Sequence, residues 1–186
     1  MQALVDQHKN NATFAESMAE IDETAGEIEH AMEMYQQVLD VNPENEKAKI
    51  QYSDVAFKAD KLDNFRDYIY EQVDKDPNYE VSLDFIREMN KKAVAYINDK
   101  ENQRFKEGVQ IYEDLLAWIN KSSEELREIR AKIWFNLATA YQKAPKPNPE
   151  RRKRALISGY RESPEGSAIQ DKVLNVINRD YDGLVA

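Results

Sequence analysis

The sequence predicts an all-α protein made of stacked helical hairpins, and three observations support this fold class. Apolar residues recur at three- and four-residue steps through residues 27–45 and again through 61–79, which is the spacing of one face of an α-helix. Each of these segments closes on a proline, Pro43 or Pro77, and the two prolines are 34 residues apart. Only five Gly and six Pro occur in 186 residues, which disfavours the many tight turns of a sandwich or barrel.

The 34-residue interval also relates the apolar positions within the two segments. The aligned pairs are Ile28 with Leu62, Ala31 with Phe65, Tyr35 with Ile69, and Leu39 with Val73. Proline ends each helix because it lacks an N–H group and restricts the residue before it. Each unit is therefore predicted to be a helix, a short turn, a second helix and a turn marked by proline.

This pattern resembles the tetratricopeptide repeat (TPR), a 34-residue helical hairpin. The second helix of that family follows a turn residue, carries a small residue and then an aromatic, and closes near Asn-Pro. Those places are filled by Gly26, Ala31, Tyr35, Leu39 and Asn42-Pro43. The first-helix signature of the family is matched by "WFNLATAY", with Trp134, Leu137, Ala138 and Tyr141. The resemblance implies a right-handed superhelical array forming a single TPR-like domain over residues 1–186.

The predicted units differ from the family in several places. Their expected boundaries are 12–45, 46–79, 80–122 with an insertion, a divergent unit at 123–162, and a C-terminal helix at 163–180. Phe65 stands where the family has a small residue, so we expect that hairpin to pack more loosely or to be splayed. Nine extra residues in the third unit are expected to lengthen a helix or loop around residues 90–103. Ser122 and Glu125 form a capping-box pattern before the fourth unit, and Ser163 is predicted to cap the terminal helix.

Composition excludes several classes of function. Without cysteine, the chain has no disulfides, no thiolate nucleophile and no cysteine-based zinc site. Residues 1–100 carry 22 Asp and Glu against 11 Lys and Arg, whereas residues 101–186 carry 13 against 15. The acidic first half disfavours nucleic-acid binding there. No run approaches the ~20 apolar residues of a membrane helix, so no membrane span is predicted, and we expect a cytoplasmic location.

No catalytic motif supports an enzyme. The sequence has no Gly-x-Ser-x-Gly, phosphate loop or dinucleotide fingerprint. Glu27 and His30 have the Glu-x-x-His spacing of di-iron bundles, but the only other histidine, His8, has Leu4 at the matching offset. We therefore predict a non-enzymatic protein with no cofactor and no metal.

The resemblance implies a binding site, because the first helices of such arrays line a concave groove. The partner-binding residues predicted for this face are Glu16, Glu20, Ile50, Asp54, Asp84, Phe85, Glu88, Phe135 and Asn136. The projected face has five carboxylates and no Lys or Arg, so it favours a cationic ligand and repels an acidic tail. Its large apolar residues are predicted to anchor the ligand. The alternatives are that the apolar residues belong to the core and that the acids form an ordinary solvated surface.

The predicted function is a non-catalytic scaffold that binds a basic or amphipathic protein segment in an acidic concave groove. One concentrated basic cluster offers a different function. It contains Lys146, Arg151, Arg152, Lys153 and Arg154 as possible anion-binding residues for RNA or an anionic surface. Because no aromatic residues interleave with this cluster, neutralisation of the acidic half is favoured over nucleic-acid binding. A structural or self-association role within a larger protein is the third alternative.

Overall fold

A computed structural model describes residues 2–76, 81–99 and 104–181, with side chains from Asn11 onward. These residues form nine helices and no β-strand, which confirms the predicted all-α class. The helices are α1 Gln2–Ala25, α2 Ile28–Val41, α3 Glu46–Lys58, α4 Leu62–Lys75, α5 Leu83–Asn98, α6 Phe105–Trp118, α7 Glu124–Lys143, α8 Pro149–Glu162 and α9 Ala168–Asp180. Pro77, which marks the second predicted turn, lies outside the described residues.

Polar side chains at the first turns explain where several helices begin. Asn45 accepts a hydrogen bond from the Ala48 N–H at 3.0 Å and so caps α3. Asn148 caps α8 in the same way, with Pro149 in the first helical position, where its missing N–H has no helical partner to lose. The extra length of the third unit falls partly within α5, which continues to Asn98.

Two predicted helix starts are wrong. Ser123, rather than Ser122, caps α7 by accepting from the Leu126 N–H at 3.2 Å. Ser163 does not start the terminal helix but ends α8, since its N–H donates to the Gly159 carbonyl at 3.1 Å. The terminal helix begins five residues later, at Ala168, after the Ser167 cap. Serine side chains bond to backbone groups at both ends of helices, so the sequence pattern alone does not distinguish the two positions.

The chain divides into two compact units, Met1–Glu88 and Met89–Ala186, and the boundary falls within α5. In the first unit, α1 packs on α2, α2 on α3, and α3 on α4. Ala19 and Ala31 are completely buried, together with Tyr35 and Leu39. Between α3 and α4 lies a layer of aromatic rings, in which Phe65 meets Tyr52 edge-on with ring centroids 5.5 Å apart.

In the second unit, α7 contacts α6, α8 and α9. Two glycines let backbones approach closely. A Cβ atom on Gly108 of α6 would lie 2.7 Å from Ile97 Cγ1 and 2.8 Å from the Ala93 carbonyl of α5. A Cβ on Gly159 of α8 would lie 3.1 Å from the Trp134 Cβ of α7. Glycine therefore sets the spacing of both helix pairs. Within the described ranges, no helix is both long enough and apolar enough to cross a membrane.

Candidate functional site

The first helices of the two hairpins in the first unit, α1 and α3, are joined by ion pairs. The Lys47 ammonium lies 2.7 Å from Glu20 Oε1 and 3.0 Å from Glu16 Oε1. Lys58, at the other end of α3, pairs with Glu23 near the end of α1. Since the start of α3 contacts the middle of α1 and its end contacts the end of α1, the two helices run side by side in the same direction. We refer to the surface containing Glu16, Glu20, Lys47 and Asp54 as the acidic face.

The prediction that this face carries no cation is wrong. Lys47 was not among the residues projected onto it, yet its side chain bridges two of the predicted carboxylates and is 59% exposed. Hydrogen bonds to Glu20 and Glu16 raise the pKa of Lys47 above its usual range, so its charge is held firmly. The four residues that define the acidic face are therefore three carboxylates and one ammonium group, and the Lys58–Glu23 pair between the same helices adds one charge of each sign. The net negative charge is thus smaller than the sequence indicated.

The remaining predicted acids are placed differently from one another. Asp54 is half-buried on α3, and Glu88 is half-buried on α5. Asp84 is exposed at the start of α5, where the Arg87 guanidinium donates to its carboxylate at 2.7 Å. Arg87 was also missed as a neighbour of the predicted site, although its position three residues later on the same helix could have indicated it.

A buried tyrosine lies near the acidic face. Tyr35 of α2 is completely buried, and its hydroxyl makes no hydrogen bond within the described part of the chain. Burial, together with the negative charges of Glu23 and Glu20, raises the pKa of Tyr35 to about 12. The Tyr35 hydroxyl therefore stays protonated, close to the carboxylates of Glu20 and Glu23.

An exposed apolar strip on α1 was not predicted, and its Ile21 end shares a groove with Glu20 of the acidic face. Phe14 and Ile21 lie seven residues apart, on one side of the helix, and are 67% and 60% exposed. A shallow groove of about 570 Å³ runs past Ser17, Glu20 and Ile21. Glu20 thus borders both the apolar strip and the acidic face. Apolar residues on the outer side of the first helix were the sequence signal available for this strip.

The prediction that Phe85 anchors a ligand in the groove is wrong. Its side chain is completely buried, with its ring centroid 5.5 Å from that of Phe65. Phe65 presents an aromatic surface that Phe85 covers. Ile50 is half-buried on α3 and so retains a partly accessible apolar surface.

The two predicted site residues of α7 belong to the second unit and make contacts there. Phe135 is half-buried, and the Lys172 ammonium lies 4.4 Å from its ring centroid. The Asn136 side-chain amide donates to the Asn90 side-chain oxygen at 3.1 Å. Both residues therefore help to pack α7 against its neighbours in this unit.

The basic cluster does not act as a single surface. The Arg152 guanidinium lies 2.5 Å from the Asp180 carboxylate and donates to the Tyr181 hydroxyl at 3.0 Å. Its side chain is only 12% exposed, and its ion pair with Asp180 links the start of α8 to the end of α9. The assignment of Arg152 to anion binding is therefore wrong. Hydrogen bonds from Arg179 and Arg152 lower the pKa of Asp180, which keeps this carboxylate ionised.

The other four cations of the cluster, namely Lys146, Arg151, Lys153 and Arg154, make no ion pair with the residues that the structure describes. Arg151 and Arg154 border a cleft of about 270 Å³ between α6, α7 and α8. The Tyr141 hydroxyl donates to Glu113 at 3.2 Å in this cleft, and the Arg151 guanidinium lies 5.8 Å from the Tyr141 ring centroid. Burial and the neighbouring Glu113 carboxylate raise the pKa of Tyr141.

A hydrogen-bond network around the buried Arg130, which the sequence did not predict, joins the helices that form this cleft. Arg130 donates to Glu162 through Nε at 2.8 Å and to the carbonyls of Leu116 and Ile119, the latter at 2.6 Å. The Trp134 indole N–H donates to the same Glu162 carboxylate at 3.1 Å. Burial raises the pKa of Glu162, but the hydrogen bonds from Arg130 and Lys121 outweigh it, so the pKa is lowered. Arg130 lies four residues before Trp134 on one helix face, which was the available signal.

The Glu-x-x-His pattern is not part of a ligand cluster. His30 Nδ1 lies 2.7 Å from Asp22 Oδ2, which joins α2 to α1. In the described ranges, no group of three or more His, Cys, Asp or Glu side chains is placed to hold a metal ion.

The sequence was also compared with known proteins. It matches no model of a known protein family, and a comparison with curated proteins finds no match.

Proposed function

We propose that this protein is a divergent TPR-type scaffold that binds a basic, amphipathic segment of another protein on the acidic face of its first unit. The observation that carries the proposal is the pairing of α1 with α3 through Lys47. This pairing gathers carboxylates from two hairpins on one surface, and the exposed Ile21 lies next to that surface in the groove that it shares with Glu20. Cations of the partner would meet the carboxylates, and its apolar side chains would cover the apolar strip at Ile21.

Successive hairpins in the first unit are joined in a way that supports a repeat array. Lys58 and Glu23 pair across 35 residues, and Lys61 and Glu29 pair at 2.5 Å across 32 residues. The first pair joins the first helices of two hairpins, and the second pair joins their second helices. Separations near 34 residues are expected when one hairpin stacks on the next in register.

Lys47 supports a specific mechanism of ligand exchange on the acidic face. Its ammonium occupies the position that a Lys or Arg of the partner would take between Glu16 and Glu20. Exposed ion pairs contribute only about 0–1 kcal/mol each, so a partner cation can displace Lys47 at little cost. Lys47 then lowers affinity for simple cations and favours ligands that also contact the apolar strip.

The test uses a fluorescent amphipathic peptide with Lys at every fourth position and Leu between, together with a peptide in which Glu replaces each Lys. Fluorescence anisotropy should show binding of the basic peptide only. The variant E16Q/E20Q/D54N should bind it at least tenfold more weakly, because three charge contacts are lost. The matched variant E33Q/D67N/D74N removes three exposed carboxylates from α2 and α4 and should bind like the wild type.

Two results would contradict the proposal. Equal weakening in both triple variants would mean that net charge, rather than the acidic face, attracts the peptide. Unchanged binding in E16Q/E20Q/D54N, with helicity preserved by circular dichroism, would place the site elsewhere. Light scattering at several concentrations tests the alternative of self-association, which predicts a mass that increases with concentration.

A further inference from the structure

The cleft between α6, α7 and α8 combines an apolar wall with two arginines that have no carboxylate partner in the described chain. Leu116, Trp134 and Leu137 form the apolar wall, and Arg151 and Arg154 lie along one edge. The two arginines are three residues apart, so they project from the same side of α8. Both side chains are exposed, and the contact that Arg151 makes is with the Tyr141 side chain rather than with a carboxylate.

The contrast with Arg152 shows that these charges are not needed to hold α8 in place. Arg152 is nearly buried and is saturated by Asp180 and Tyr181, whereas Arg151 and Arg154 make no ion pair with any described residue. The position of α8 is instead held by Arg152 at its first turn and by Glu162 at its last. The two cleft arginines are therefore available to an anionic group.

We propose that this cleft binds an acidic–apolar peptide segment of a partner protein. Arg151 and Arg154 receive a side-chain carboxylate, and the apolar wall receives the neighbouring Leu- or Phe-like side chain. The volume of about 270 Å³ lies just below the 300–1,000 Å³ typical of cofactor and drug sites, so it suits one or two side chains. The inference is independent of the acidic face, which lies in the other unit.

Two features favour a peptide over a nucleic acid. Glu113 adds a carboxylate to the cleft, which can accept a hydrogen bond from a peptide N–H, a donor that a phosphate backbone does not have. The aromatic residues are also poorly placed for base stacking, because Tyr141 is buried and the Trp134 indole N–H is bound to Glu162. A peptide has both the hydrogen-bond donors and the small apolar groups that this arrangement accommodates.

The test measures anisotropy of a labelled peptide, capped at both ends, in which one Glu is flanked by two Leu residues. The wild type should bind it, and replacing that Glu by Gln or both Leu by Ser should weaken binding. R151Q/R154Q should lose at least tenfold in affinity, equivalent to about 1.4 kcal/mol. K146Q/R161Q removes two exposed cations outside the cleft and is the matched control, with affinity unchanged.

Two further measurements separate cleft binding from charge effects. S158L keeps every charge but fills the cleft from α8, so it should weaken binding as strongly as R151Q/R154Q. The chain has two tryptophans, and W134F assigns their indole N–H resonances in a nuclear magnetic resonance spectrum. The Trp134 signal should move on peptide addition, while the signal of the buried Trp118 should not.

Several outcomes would overturn the proposal. These are absence of peptide binding, equal loss in R151Q/R154Q and K146Q/R161Q, or full binding by a folded S158L. Salt-sensitive binding of single-stranded RNA through Arg151 and Arg154, without peptide binding, would assign the cleft to nucleic acid. Self-association that disappears in R151Q/R154Q would make a second copy the occupant.

Discussion

Replacing Lys47 by Gln tests whether this side chain competes with the proposed basic partner. The ammonium forms two ion pairs, at 2.7 Å with Glu20 and at 3.0 Å with Glu16, and is 59% exposed. Exposed pairs contribute about 0.2–1 kcal/mol each, so displacing both costs a partner about 0.4–2 kcal/mol. Removing the competitor should therefore tighten binding of the basic amphipathic peptide by about two- to thirtyfold.

The assay is peptide anisotropy at low and high salt, with K75Q as the matched control. Lys75 is similarly exposed and pairs with Glu71 at 3.5 Å on α4, so K75Q changes the net charge equally. We expect tighter binding only in K47Q, and we expect the gain to shrink in 1 M salt, where the screening length falls to about 3 Å. An equal gain in both variants, or none in K47Q, would refute the competition mechanism.

The remaining predictions concern stability and are read from urea unfolding. R130M should lower the free energy of unfolding by about 3–5 kcal/mol, because Glu162 and two carbonyls lose their buried partner; a loss below 1 kcal/mol would contradict this. The pKa of Glu162 is lower in the folded than in the unfolded protein. Its contribution to the free energy of unfolding should therefore be fully present above the unfolded pKa of about 4.3 and be lost as the pH falls through the folded pKa. E162Q should reduce this dependence of stability on acid. G108A should lose about 1–3 kcal/mol through overpacking against α5, and an unchanged stability would mean that α5 can move. Y35F removes a buried hydroxyl without a partner and should leave stability unchanged or higher, whereas Y141F removes a hydrogen bond and should cost about 1 kcal/mol. Equal destabilisation by both variants would contradict this difference between the two hydroxyls.

Much of the fold could be predicted because helices are specified by local spacing. The three- and four-residue recurrence of apolar side chains indicated where helices lie, and Asn-Pro indicated where the first hairpin ends. Helix starts were less certain, because neighbouring serines such as Ser122 and Ser123 can both cap a helix. The choice of Ser123 depends on backbone angles that the residue type does not specify.

The candidate site was predicted less well, since its properties depend on side chains contributed by other helices. Projection onto a helix wheel placed Glu16 and Glu20 on one surface, but Lys47 reaches them from a helix 27 or more residues away. Phe85 recurs at the helical spacing of an exposed groove residue, yet the structure buries it completely, with its ring beside that of Phe65. Periodicity identifies the face of a helix, but it does not identify what covers that face.

The sequence by itself determined that this protein is helical, acidic in its first half and free of cysteine chemistry, because these properties follow from residue type and local spacing. Only the tertiary structure decided which charges are available to a partner. Arg152 forms an ion pair with Asp180, whereas Arg151 and Arg154, one and two positions away, lie at the edge of an open cleft. The difference arises because successive residues of a helix point about 100° apart, so adjacent arginines meet different neighbours.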